Sequence, residues 1–185
     1  MDEGELFERE MYQLAIHEAG HVVVAWCLGL GVEIVSIMGD EETEGRTLII
    51  PPELDNPCQS VDKVVQRCRT LEKRVRIAFA GPLAEGKFSG ESLRLIPAHN
   101  DFLQGVLLLR QIAESSAERE RIGDFLLKQT QELIRRRWKS INVIATRLVA
   151  NGELFSPEIE ALLGERQWEF FSRRDVAFPP HIQAK

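Results

Sequence analysis

Cysteine is scarce: 185 residues hold three, Cys27, Cys58 and Cys68, and no two have C-x-x-C spacing. That set builds neither a disulfide framework nor a zinc ribbon, and it fits a reducing compartment. Long apolar runs are also lacking. Stretches such as Val22–Leu30 and Gly105–Leu109 fall well short of the roughly 20 residues that cross a bilayer, so no membrane span is expected. The first residues, Met1-Asp2-Glu3-Gly4-Glu5, are acidic where a secretory signal would be basic, and a cytoplasmic location is expected. Positive charge is in the minority, 23 basic against 29 acidic residues for a net charge of −6. That balance argues against nucleic acid as a partner. The sequence contains no G-x-x-x-x-G-K-[ST] phosphate loop, no internal repeat and no low-complexity segment.

What is present suffices for one sizeable core, since 44 % of the residues are hydrophobic. Apolar residues recur at helical intervals from Leu6 to Leu28, and Gly29-Leu30-Gly31 supplies the stop. Val32–Ile37 and Thr47–Ile50 read as a hairpin around an acidic turn, Gly39–Gly45, with Pro51-Pro52 ending it. A second helix capped by Ser60 runs through Val61, Val75 and Phe79, and Gly81-Pro82 is expected to bend or restart it. A third begins near Asn100. A longer fourth spans Ile122 to Leu148 and stops at Asn151-Gly152, and a short one starts at Ser156. Residues 1–165 are thus expected to form one mainly helical α+β domain, followed by a tail over 166–185.

The chemistry concentrates in the first helix. His17-Glu18-Ala19-Gly20-His21 matches H-E-x-x-H, and the helix puts both imidazoles on one face, where a single zinc ion can take them. Glu18 then lies beside the open position of the metal as general base. With 4 histidines in the chain, about 0.01 matches are expected by chance, so coincidence is a poor explanation.

A catalytic zinc usually takes a third protein ligand. The metzincin pattern would need a glycine and a histidine where Val24 and Cys27 stand, which excludes it. Glu41, Glu42 and Glu44 fall in the expected hairpin turn, and Cys27 lies off the histidine face, where it reads as a core residue. Glu85, Glu91, His99 and Asp101, all beyond the second helix, remain as candidates.

Three runs carry a resemblance: Ile16-His17-Glu18-Ala19-Gly20-His21-Val22-Val23, then Ala80-Gly81-Pro82-Leu83-Ala84-Glu85, then Asn100-Asp101-Phe102. In order and context they resemble the peptidase domain of the FtsH family of ATP-dependent zinc metalloproteases. Gly45-Arg46-Thr47 stands where that family has a Gly-Tyr/Val-Thr element. The resemblance covers roughly residues 10 to 150 and implies His17, His21 and Asp101 as zinc ligands with Glu18 as catalytic base. Glu85 would steady the ligands from outside the metal or serve as an alternative ligand. Two departures stand out. Pro82 replaces the family's arginine, and the membrane anchor and ATPase module that the family joins to this domain have no counterpart in the sequence.

The expected activity is ATP-independent hydrolysis of peptide bonds in unfolded or flexible polypeptides. A substrate would be held as an added strand along Val32–Ile37 or Thr47–Ile50. The same site chemistry would serve a non-peptide amide. The alternative is a non-catalytic zinc-binding relative that regulates or scaffolds an assembly. The basic run Arg135-Arg136-Arg137-Lys139 reads as a solvated helix face or as a contact in a homo-oligomer.

Overall fold

The computed structural model describes residues 2–39, 45–50, 61–90 and 100–164. Residues 40–44 of the acidic turn, Pro51-Pro52, the Ser60 cap, Glu91, His99 and the tail lie outside the described residues. The described part is mostly helical with one small antiparallel sheet, as expected for α+β.

Helix α1 (Glu3–Cys27) is the element around which the others pack. Asp2 caps it, its carboxylate accepting from the N–H groups of Gly4 and Glu5, while Glu5 returns a bond to the Asp2 N–H. At the other end Gly29, at φ 77°, lets Leu30 N–H reach the carbonyl of Ala25 and Gly29 N–H that of Trp26. That pair of bonds closes the helix and turns the chain into the sheet. From Ala15 onward α1 is buried on nearly every side, with Ala15, Ile16, Ala19, Val22, Val24 and Ala25 fully enclosed. A helix apolar all round belongs in the interior, and burial of each large aliphatic side chain contributes about 1.5–3 kcal/mol.

Strand β1 (Gly31–Ser36) pairs antiparallel with β2 (Arg46–Ile50), with a register irregularity between Val32 and Ile34. Helix α2 (Val61–Ser89) lies along α1, α3 (Asn100–Leu109) docks on α2, and α4 (Ser116–Arg136) and α5 (Trp138–Asn151) follow. A three-residue strand β3 (Glu153–Phe155) then pairs with the other side of β1 before α6 (Ser156–Leu163). The sheet order is therefore β2-β1-β3.

Three expectations about elements are corrected. Pro82 neither bends α2 to a halt nor restarts it: the helix runs through. The proline ring removes the bond to the Ala78 carbonyl at a cost of about 3 kcal/mol, which the burial of Ala80, Leu83 and Ala84 on both sides of it offsets. The single fourth helix is two, because Arg137 (φ −97°, ψ 15°) interrupts it without interrupting its apolar stripe. The hairpin is a three-stranded sheet, since Gly152 at φ 80° turns the chain so that its carbonyl accepts from Ile37 N–H and Leu154 is buried beside Val35. The basic run is a solvated face in part: Arg135 and Arg136 are exposed and both pair with Glu132, at 2.7 and 2.8 Å. Among the described residues no helix is long and apolar enough to cross a membrane.

Candidate metal centre

In the enclosed half of α1 the polar side chains are His17, Glu18 and His21, and each has a specific partner. Both imidazoles face α2 where the two helices come closest. A Cβ on Gly81 would run into Nε2 of His21 and lie 2.5 Å from Nε2 of His17. Across the same crossing, a Cβ on Gly20 would come within 2.8 Å of the Ala80 carbonyl oxygen and of Ala84 Cβ. Glycine inside a helix costs about 1 kcal/mol relative to alanine; here nothing larger fits at either place.

Each ring is oriented through Nδ1. His21 Nδ1 donates to the Ile77 carbonyl oxygen at 2.8 Å, and His17 Nδ1 meets Glu85 Oε2 at 2.8 Å, while Glu85 Oε1 accepts from Gln13 Nε2 at 2.8 Å. A carbonyl only accepts, so the hydrogen of neutral His21 sits on Nδ1 and its Nε2 presents a lone pair. The Glu85 carboxylate selects the same tautomer at His17.

The third member comes from the first turn of α3. Phe102 stacks on Phe79 with ring centroids 4.7 Å apart, and Gly105 passes so close to that ring that a Cβ would sit 2.5 Å from it. This seating delivers Asp101 to the histidines, with Oδ2 at 2.9 Å from His17 Nε2 and 3.3 Å from His21 Nε2, and the two Nε2 atoms 3.2 Å apart. Three acceptor atoms thus converge on one point. Ligands held tetrahedrally at 2.0–2.1 Å from an ion stand about 3.3 Å from one another, which these three separations approach. A proton on His17 Nε2 serves one neighbour at a time, whereas a metal ion satisfies all three. His17, His21 and Asp101 lie close enough together to hold a metal ion.

The electrostatics favour positive charge here. Burial pulls the His17 pKa down, but hydrogen bonds to Asp101 and Glu85 outweigh it and lift it to about 9. Burial would raise Asp101, yet the two histidines hold it far below the usual carboxylate range. A bound cation displaces that His17 proton and inherits the same carboxylates.

Glu18 is 5 % exposed and does not join this triangle. Its Oε2 accepts from Thr47 Oγ1 at 2.6 Å, and a Cβ on Gly45 would lie 2.9 Å from Oε1. The start of β2 therefore grips the carboxylate from one side. From the other, Glu18, His21 and Asp101 open into a cleft of about 720 Å³ whose wall includes Gly45 and residues 46–49 of β2.

The structure brings together four of the residues singled out from sequence as the metal group: His17, His21, Asp101 and, behind His17, Glu85. Cys27 is buried in the core cluster. The Val32–Ile37 alternative for strand addition is corrected, because β1 is the central strand, while β2 is an outer strand among the described residues. Sequence reasoning assigned no role to Gln13 or the Ile77 carbonyl, and it did not foresee that Thr47 would hold Glu18 or that Gly81 would abut the histidines. Two glycines in helix interiors were the available signal for the close crossing, and the Thr47 contact follows from a pairing register that periodicity leaves open. No protein-family model matches the chain, and neither does any curated protein.

Proposed function

We propose that this chain is a zinc metallopeptidase of the H-E-x-x-H type with an aspartate third ligand, similar to the FtsH peptidase domain, and that it hydrolyses unfolded or flexible polypeptides without ATP. The observation that carries the reading is the triangle of His17 Nε2, His21 Nε2 and Asp101 Oδ2, with a separately held carboxylate, Glu18, beside it at the head of a cleft. Nitrogen and carboxylate donors in this number suit zinc with one position left open.

Zinc held by His17, His21 and Asp101 would supply a water of lowered pKa and polarise the scissile carbonyl. Glu18 accepts the proton of the attacking water at Oε1, the oxygen that Thr47 does not occupy, and hands it to the departing amine. Glu85 and the Ile77 carbonyl keep the two imidazoles in the tautomer that leaves Nε2 for the metal. Residues 46–49 of β2, an outer strand among the described residues, line the cleft, and an extended peptide adding to that strand through main-chain bonds would favour unfolded segments over particular side chains. A carboxylate buried between two ligands and clamped by a threonine has no use in a scaffold, which weighs against the non-catalytic alternative.

The test is a time course with the zinc-loaded chain on one protein in its native and in a permanently unfolded form, with Glu18→Gln as blank. The unfolded form should be cleaved and the native one spared, since hydrolysis that uses no ATP waits for local opening. Chelator should stop the reaction, ATP with Mg²⁺ should leave it unchanged, and Glu18→Gln should keep about one zinc per chain while losing hydrolysis. Cleavage that persists in Glu18→Gln or in chelator ends the assignment.

A further inference from the structure

The cleft beside the metal centre contains a cation that the catalytic reading does not use. Thr70, Arg74, Ile77 and Ala78 of α2 all line it, a spacing of four, three and one that lays a single stripe of the helix along the cleft wall. Ile77 and Ala78 lie toward the metal end, one turn before Gly81, which abuts the histidines. Arg74 is exposed and makes no hydrogen bond or ion pair among the described residues. Among the described residues, the acids that line the same cleft are Glu18 and Asp101, both committed to the metal centre, and most of the remaining lining is aliphatic or hydroxyl-bearing, with Arg46 and Gln104.

We infer that Arg74 is a substrate-binding residue that selects a carboxylate on the bound polypeptide, an inference that rests on the peptidase reading above. Distance along the helix sets where the carboxylate falls. Seven residues separate Arg74 from Gly81, and at 1.5 Å per residue the two Cα atoms stand about 10 Å apart along α2. An extended peptide advances about 3.3 Å per residue, so the guanidinium meets the substrate two or three residues from the scissile bond. Its planar fork takes a carboxylate through two parallel N–H···O bonds. In a protein of net charge −6, such a cation is also what allows an acidic segment into the cleft against the overall repulsion. The carboxylate has two sources, an Asp or Glu side chain or the free carboxyl terminus of the peptide, and both present the same chemistry.

The experiment measures binding apart from turnover. Fluorescent peptides bind zinc-loaded Glu18→Gln, the full chain, and anisotropy gives Kd. One set moves a Glu, Gln or Lys stepwise along an otherwise neutral peptide with an amidated end; a second compares free and amidated carboxyl termini. Glu at one position should bind about tenfold tighter than Gln there, and Lys weaker than Gln. Arg74→Gln should level the series, and Arg74→Glu should reverse it in favour of Lys. A preference seen only for the free terminus, and abolished by Arg74→Gln, assigns the terminal carboxylate as the source. Binding that ignores charge at every position, or a Glu preference unchanged in Arg74→Glu, overturns the inference and leaves the peptidase reading standing. Failure of every peptide to bind a zinc-loaded chain overturns both.

Discussion

Helix α2 passes two polar places, and they handle charge in opposite ways. Around Gly81 it faces His17, His21, Glu85 and Asp101, whose acceptor atoms are directed at a common point. About two turns earlier it carries Glu72 with Arg76 and Arg69, where acid and base sit on the same helix and compensate each other. Burial still dominates at Glu72 and pushes its pKa to about 7 although the two arginines pull it down, and Oε1 has no hydrogen-bond partner among the described residues. At the first place three donor atoms lie close enough together to hold one metal ion. The second already holds its own counter-charges, Arg76 and Arg69, which offset the burial of Glu72 only in part. The difference separates a site from a structural polar cluster: convergence of lone pairs, and not the mere burial of titratable groups, marks the former.

The largest expected break falls on the crossing itself. Gly81→Ala puts a methyl group where both Nε2 atoms lie, so zinc content should drop to background and the melting temperature should fall by the equivalent of about 1–3 kcal/mol. Normal zinc content in that variant, measured by elemental analysis, would mean the helices are not this close. Next comes the comparison of two carboxylates. Asp101→Ala should lose most bound zinc, whereas Glu85→Ala should weaken binding about 10- to 100-fold, because it only orients His17. The reverse order in a competition with a zinc indicator would exchange the two roles.

A smaller effect is expected at the base. Thr47→Val should leave zinc content intact and lower kcat about 10- to 100-fold, the loss expected for a hydrogen bond to a charged group, with Thr47→Ser restoring it. Equal kcat for the valine and serine variants would remove Thr47 from the mechanism. The smallest change belongs to Glu72. Its folded pKa, about 7, lies above the ordinary value of 4.5, so its contribution to stability is fully present below pH 4.5 and declines as pH rises to about 7. Glu72→Gln should flatten that decline, amounting to at most about 3 kcal/mol, in denaturant titrations across the window. An unchanged pH profile would place the titration elsewhere.

The site was legible in proportion to how local its chemistry is. His17, Glu18 and His21 declare themselves because one helical turn fixes their relation. Asp101 stands 80 residues beyond His21, and composition or spacing alone left it level with Glu85, Glu91 and His99; resemblance of motif order singled it out. Its delivery depends on Phe102 stacking on Phe79 and on Gly105 passing beneath that ring, contacts with no periodic signature. Among the elements, α1 could be read to within three residues at its start and one at its end. The break at Arg137 was invisible because one non-helical residue leaves the apolar stripe of Leu133, Ile134, Trp138 and Ile141 in phase. Strand β3 is too short to alternate, and it exists because Gly152 aims the chain at β1.

The close approach of α1 and α2, at Gly20 on one helix and Gly81 on the other, has a consequence for how such a chain can drift over generations. The scaffold of the centre is the packing of the fold, so a substitution that spoils the crossing also lowers the amount of folded protein and is removed on that account. The catalytic groups have no such protection, since Glu18→Gln alters one atom of a side chain and leaves the helices seated. Descendants that abandon hydrolysis would therefore lose Glu18 first, then the histidines, and keep both glycines longest. A relative retaining the glycines without the glutamate would be a folded, inactive copy, and that pattern can be read from sequence alone.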